Sequence, residues 1–177
     1  MAQGLRAQAL AQAFEHIGHT RMRDVPMQNP QLCVHAIGFE TTPGLDNVPE
    51  ALAGILITPW FMNLVRLPVT ADASAKGWLV PGRKARRTLG SERFEFIGAS
   101  EDRLGAFEVC SLFSPMFEFA NQQAAVATAT QVLALLRQPV AAPIASPSAT
   151  LPPSRRGFLF GRAAVGVSAG TPPRGLQ

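Results

Sequence analysis

The chain has no tyrosine, only two cysteines among its 177 residues, few charged residues (16%), and no acidic residue after Glu118. Each absence excludes something. Cys33 and Cys110 alone cannot build the disulfide framework of a small secreted domain. The longest apolar run, Ala51 to Met62, contains Pro59 and is too short to span a bilayer. Met1 to Arg23 lacks the apolar stretch of a secretory signal. The reading is a reduced, cytoplasmic protein without a membrane span. Phosphate loops, nucleophile elbows and paired-carboxylate motifs are missing as well. Ser111 and Ser114 lack flanking glycines, and Glu101-Asp102 reads as a solvated turn. No catalytic residue is assigned, and the expectation is a protein that is not an enzyme.

What is present suffices for one core. Hydrophobic residues make up 47%, including eleven Phe and two Trp. Charge is placed unevenly. Beyond Glu118 the only charged side chains are Arg137, Arg155, Arg156, Arg162 and Arg174. With a formal net charge of +4 overall, residues 1–118 are left at −1. A tail of so few arginines, interrupted by apolar residues, does not make a nucleic-acid surface.

Residues 4–22 read as a helix, with Leu10, Phe14 and Ile17 on one face and Pro26 and Pro30 ending it. Gln31 to Phe39 reads as a strand and residues 42–47 as a turn. Ala51 to Ile57 is a buried strand, broken by Thr58-Pro59-Trp60. Asn63 to Leu67 is either a strand or a helical turn. Ala71 to Leu89, with the basic run Arg83-Lys84-Ala85-Arg86-Arg87, reads as a solvated loop. Ser91 to Gly98 and Ala106 to Phe113 read as strands joined by a turn at Glu101 to Gly105. Asn121 to Leu136 is a helix capped near Asn121. The pattern predicts an α+β fold over residues 1–138. It is an antiparallel sheet of about five strands, with an N-terminal and a C-terminal helix packed on one face. Residues 139–177 form an extended Pro-, Ala- and Ser-rich tail.

Several residues invite chemistry. His16 and His19 stand at i, i+3 on the first helix, a spacing that can hold a metal, but no third ligand follows nearby. They read as exposed helix histidines, and no metal or cofactor is assigned. Both cysteines read as buried structural thiols. Thr58-Pro59-Trp60-Phe61-Met62 gathers large apolar groups at a bend, and both core packing and a peptide-binding groove stay open for it. Ser154-Arg155-Arg156-Gly157-Phe158-Leu159-Phe160-Gly161-Arg162 reads like a twin-arginine export signal, S-R-R-x-F-L. Such a signal is read at an N-terminus, so here the expectation is that the arginines and the Phe-Leu-Phe run meet a protein surface.

Three blocks together resemble the NiFe-hydrogenase assembly chaperones of the HybE/HoxT/HupJ type. They are Gly54-Ile55-Leu56-Ile57-Thr58-Pro59-Trp60-Phe61-Met62, Cys110-Ser111-Leu112-Phe113-Ser114-Pro115, and Ser154-Arg155-Arg156 with Leu159-Phe160-Gly161-Arg162. Some relatives carry a rubredoxin-like module with two CxxC pairs, absent from this sequence. The resemblance implies a non-catalytic cytoplasmic chaperone of an uptake hydrogenase. Its implied client is a precursor subunit, the signal-bearing small subunit first and the large subunit second. Thr58, Pro59, Trp60, Phe61, Met62, Ser114 and Pro115 become candidate client-binding residues, with Ser154, Arg155, Arg156, Phe158, Leu159, Phe160, Gly161 and Arg162 as a tail motif. Three uses of the tail stay open: a pseudo-signal competing with the client, a docking element, or a structural arm. Glu40, Glu95, Glu101, Asp102 and Glu108 are candidate carboxylate partners for signal arginines. The alternative function is a metal- or redox-handling accessory protein using His16, His19, Cys33 or Cys110.

Overall fold

A strand without polar alternation has to be covered on both faces. The computed structural model describes residues 2–44, 48–70 and 77–137. Its elements are α1 (Ala2–His19), β1 (His35–Thr42), β2 (Ala51–Ile57), β3 (Met62–Pro68), β4 (Lys84–Leu89), β5 (Glu92–Glu101), β6 (Gly105–Phe113) and α2 (Gln122–Leu136). Every residue of β2 and of β3 is buried. The six strands form one antiparallel sheet in the order β1-β2-β3-β6-β5-β4, two three-stranded meanders joined by β3 and β6. The α+β class stands. There are six strands rather than five.

The helices lie on opposite faces, not on one. Leu52 and Leu56 of β2, with Val65 and Leu67 of β3, pack with Leu10, Phe14 and Ile17 of α1. Ala53, Ile55 and Ile57, with Met62 and Leu64, pack with Ala125, Ala129, Leu133 and Leu136 of α2. The two-residue side-chain period divides one apolar run between two cores. Asn63 to Leu67 is settled as strand because β2 and β3 pair without a shift from Ile57↔Met62 to Ala51↔Pro68. Asn121 caps α2, its side chain accepting from the Ala124 N–H at 2.9 Å.

Lys84–Leu89 is the strand that was read as loop. Lys84, Arg86 and Thr88 are exposed, while Ala85 and Arg87 are half-buried and Leu89 is buried. Charge on an edge strand discourages pairing with other chains. It also hides the alternation, because the inward Arg87 stands where an apolar residue was expected. Two glycines fix close approaches. A Cβ on Gly54 would sit 2.5 Å from the Phe39 ring, so Gly54 makes the slot in which Phe39 crosses β2. Gly90, at positive φ in the two-residue β4–β5 turn, lies where a Cβ would be 1.8 Å from the Leu136 carbonyl oxygen. The β4–β5 hairpin therefore curls back over the α2 face.

An ion triad ties the two meanders together. Glu108 of β6 is fully buried; it accepts from Arg66 of β3, from Arg87 of β4 at 2.7 and 3.1 Å, and from the Leu79 N–H at 3.2 Å. Arg66 lies opposite Glu108 in the β3–β6 ladder and also donates to the Pro49 carbonyl at 3.1 Å. Its guanidinium stands over the Trp78 ring at 5.4 Å and the Phe96 ring at 6.0 Å. Burial pushes Arg66 below the usual arginine range, and Glu108 opposes that shift. Glu108→Gln would leave two buried guanidiniums without their counter-charge. The expected cost is about 3–5 kcal/mol, checked by urea denaturation, and a loss below about 1 kcal/mol would contradict the triad's structural role.

Candidate functional site

Three loops converge at one end of the sheet, where β1 begins, β2 turns into β3 and β6 ends. The turn Thr58–Phe61 is held by a single buried side chain. The Thr58 N–H donates to the Phe61 carbonyl at 2.8 Å and its hydroxyl donates to the same oxygen at 3.0 Å. The Thr58 hydroxyl oxygen accepts from the N–H groups of Phe61 at 2.9 Å and Trp60 at 3.3 Å. A hydroxyl standing in for a backbone acceptor lets the chain reverse across Pro59, which has no N–H to offer.

This geometry aims the turn's large groups inward. Trp60 is buried against α1, where a Cβ on Gly18 would lie 3.4 Å from its ring. Phe61 is edge-on to Trp60 and to Phe14, with centroids 5.8 and 5.6 Å apart. Met62 is fully buried on the other face. Half-buried Pro59 stays at the rim of a cleft of about 320 Å³, shared with His19, Cys33 and Trp60.

Asn29 binds the other two loops to this turn. It is buried, and its N–H donates to the Pro59 carbonyl at 2.8 Å. Its side-chain amide donates to the carbonyls of Met116 at 3.0 Å and Phe119 at 2.8 Å, and its oxygen accepts from the Gln31 N–H at 3.0 Å. The Ser114 hydroxyl donates to the Trp60 carbonyl at 3.3 Å, next to the cis Ser114–Pro115 bond. Two candidate blocks far apart in sequence thus meet. Beside them the loops expose large apolar groups, Met27 at 47% and Phe117 at 57%. Sequence reasoning missed Asn29, Met27 and Phe117. For Phe117 the only signal was a Phe in a Pro-bounded segment with no helix or strand period.

The remaining candidates do not assemble. His16 and His19 are exposed, and the His19 ring Nδ1 pairs with the Glu15 carbonyl at 2.8 Å. Cys33 is exposed rather than buried, because it lies on the irregular approach to β1; Cys110 is half-buried. Burial, helped by Glu95, pushes the Cys110 thiol up and disfavours the thiolate. Among the described residues no three metal-ligating side chains cluster. Of the candidate carboxylates, Glu101 pairs with Arg21 through two 2.7 Å bonds, Glu95 with Lys84 at 3.0 Å and Glu40 with Arg137 at 3.1 Å. Glu108 is sealed in the triad. Asp102 lines a polar cleft with His16, Arg21 and Glu101. The tail motif, Ser154 to Arg162, lies outside the described residues.

Among known proteins, the profile of the NiFe-hydrogenase assembly chaperone family HybE matches residues 5–161. Protein HoxT of Cupriavidus necator is 50% identical over 167 residues, covering 89% of each chain. Hydrogenase expression/formation protein HupJ of Bradyrhizobium diazoefficiens is 41% identical over 155 residues, 86% of this chain and 85% of that one. The solution structure of HybE from Escherichia coli shares the fold, with a TM-score of 0.56 over 90% of this chain and 91% of that one, at 22% identity.

The loop junction depends on one amide. Asn29→Ala removes the amide's bonds to the Phe119 carbonyl and the Gln31 N–H and leaves the Met116 carbonyl with the Phe119 N–H alone, so a loss of about 1–3 kcal/mol is expected. Thermal or urea denaturation checks it; a change within about 0.5 kcal/mol would mean that Asn29 does not hold the loops.

Proposed function

The chain belongs to the NiFe-hydrogenase assembly chaperone family, and on that premise we propose that it holds the signal-bearing small-subunit precursor at the loop end of its sheet. Holding takes place in the cytoplasm, before export, and involves no catalysed step. One observation carries this reading: exposed Met27 and Phe117 stand on loops that Asn29 fastens together and to the Thr58–Phe61 turn, a turn that the Ser114 hydroxyl also grips. An apolar, Met-containing rim on a rigid junction suits an unfinished polypeptide, since thioether and aromatic groups adapt to varied partners. In this reading Thr58, Trp60 and Met62 set the shape of the surface from beneath, while Pro59, Ser114 and Pro115 lie at its edge.

The tail adds competition. Its S-R-R-x-F-L copy, Ser154 to Leu159, lies within the matched span, which ends at Gly161, a position that favours a family element over a chance arginine pair. A tethered copy reaches an effective concentration of roughly mM; at an intrinsic Kd of about 10 μM it would weaken client binding about 100-fold.

Three measurements test this. Pull-down with each hydrogenase precursor should recover the small subunit with its signal peptide and not the signal-less form; equal recovery of both would refute the assignment. Met27→Ser combined with Phe117→Ser should weaken capture at least about tenfold with an unchanged Tm. Truncation before Pro152 should tighten signal-peptide binding, and a weaker or equal affinity would remove the competing role.

A further inference from the structure

Four arginines meet at the other end of β1–β3, away from the loop junction. Arg66 and Arg87 of the triad, with Arg86 of β4 and Arg93 of β5, line a cavity of about 280 Å³ together with Thr42 and Thr88. Thr42 and Thr88 lie on strands at opposite edges of the sheet, so the cavity exists because the sheet curls its edges toward each other.

Among the described residues the balance of charge there is incomplete. Glu108 is the triad's only carboxylate, and each of its oxygens already accepts two hydrogen bonds, from Arg66 and Arg87 on one and from Arg87 and Leu79 on the other. It has nothing left for Arg86 or Arg93. Glu95, across the ladder from Arg86, is engaged by Lys84 at 3.0 Å. Among the described residues no carboxylate pairs with Arg86 or Arg93. Two guanidiniums sharing one buried carboxylate leave a positive excess where water screens it poorly. The Trp78 and Phe96 rings and the Pro49 and Gly77 carbonyls soften that excess without cancelling it. Edge protection accounts for Lys84 and Arg86, but β5 is an inner strand, so Arg93 needs another reason.

We infer that this cavity is an oxyanion-binding site, taking a carboxylate or phosphate group whose oxygens accept guanidinium forks from Arg86 and Arg93 above the fixed charge of Arg66 and Arg87. Thr88 offers a hydroxyl donor to the same group, while the Thr42 hydroxyl is held by the Ala51 carbonyl at 3.1 Å. The site is separate from the loop junction, and its occupancy does not depend on which precursor binds there.

Calorimetric titration of the full chain at low ionic strength tests it, with inorganic phosphate and a capped tetraglutamate peptide as probes. Saturable one-site binding is expected. It should weaken at least about tenfold in the Arg86→Ala/Arg93→Ala double variant and stay unchanged in Arg23→Ala/Arg103→Ala, which removes exposed charge elsewhere. If the first pair does not fold, Arg93→Gln alone should give a smaller loss in the same direction. Tetraglutamate binding about tenfold tighter than phosphate assigns a polypeptide-borne carboxylate; phosphate binding as tight or tighter assigns a free anion. Non-saturable heats, or equal losses in both double variants, would reduce the effect to general charge attraction and overturn the site.

Discussion

The β2–β3 hairpin is buried on both faces, with only Asn63 and Arg66 polar in its strands, and the rest of the molecule is arranged to keep it dry. Seven consecutive ladder pairs, fourteen residues with none exposed, cannot sit at a water-facing surface, so one helix is required above and another below. At about 25 cal/mol per Å² of apolar area, burial on this scale outweighs any single polar contact in the fold. The flanking strands follow from it. β1 closes one side with a bulge at Ile37/Glu40, and β6 closes the other. The helix ends then leave the hairpin's turn, rather than its faces, open to other segments.

Two of the polar groups buried in this interior, Glu108 and Asn29, become junctions. Glu108 draws an arginine from each meander and makes one curled sheet of them. Asn29 draws three loops together at the opposite end of β1–β3. Both groups have every side-chain polar atom paired, and a fully satisfied buried network is rigid. Rigidity gives the exposed Met27 and Phe117 fixed positions despite their loop setting. A holding protein benefits from this, because surface already ordered costs less to order again on binding.

Much of this was legible in the sequence. Leu10, Phe14 and Ile17 marked α1, Asn121 marked the start of α2, and the unbroken run Ala51–Ile57 marked a buried strand. That same run also implied two covered faces, so the one-sided arrangement of helices underused it. The strand Lys84–Leu89 was hidden because Arg87 points inward to a carboxylate 21 residues away, a partner that no local pattern reveals. Asn29 was silent for the same reason, its amide reaching carbonyls 87 and 90 residues on. Pro59 marked the bend at Thr58–Met62, and the sequence left both core packing and a groove open there. The reversal of the chain between β2 and β3, however, sends Trp60 and Met62 into opposite cores rather than onto a shared surface.

The central claim is that an inert two-faced hairpin supports a loop end that receives the client. Hydrogen exchange of the full chain, with and without the small-subunit precursor, tests this most directly. The account predicts that β2 and β3 exchange only by global unfolding in both states, and that the precursor slows exchange in residues 26–33 and 114–121. Protection confined to β4 and β5, or none at the loop end while the precursor is bound, would contradict it.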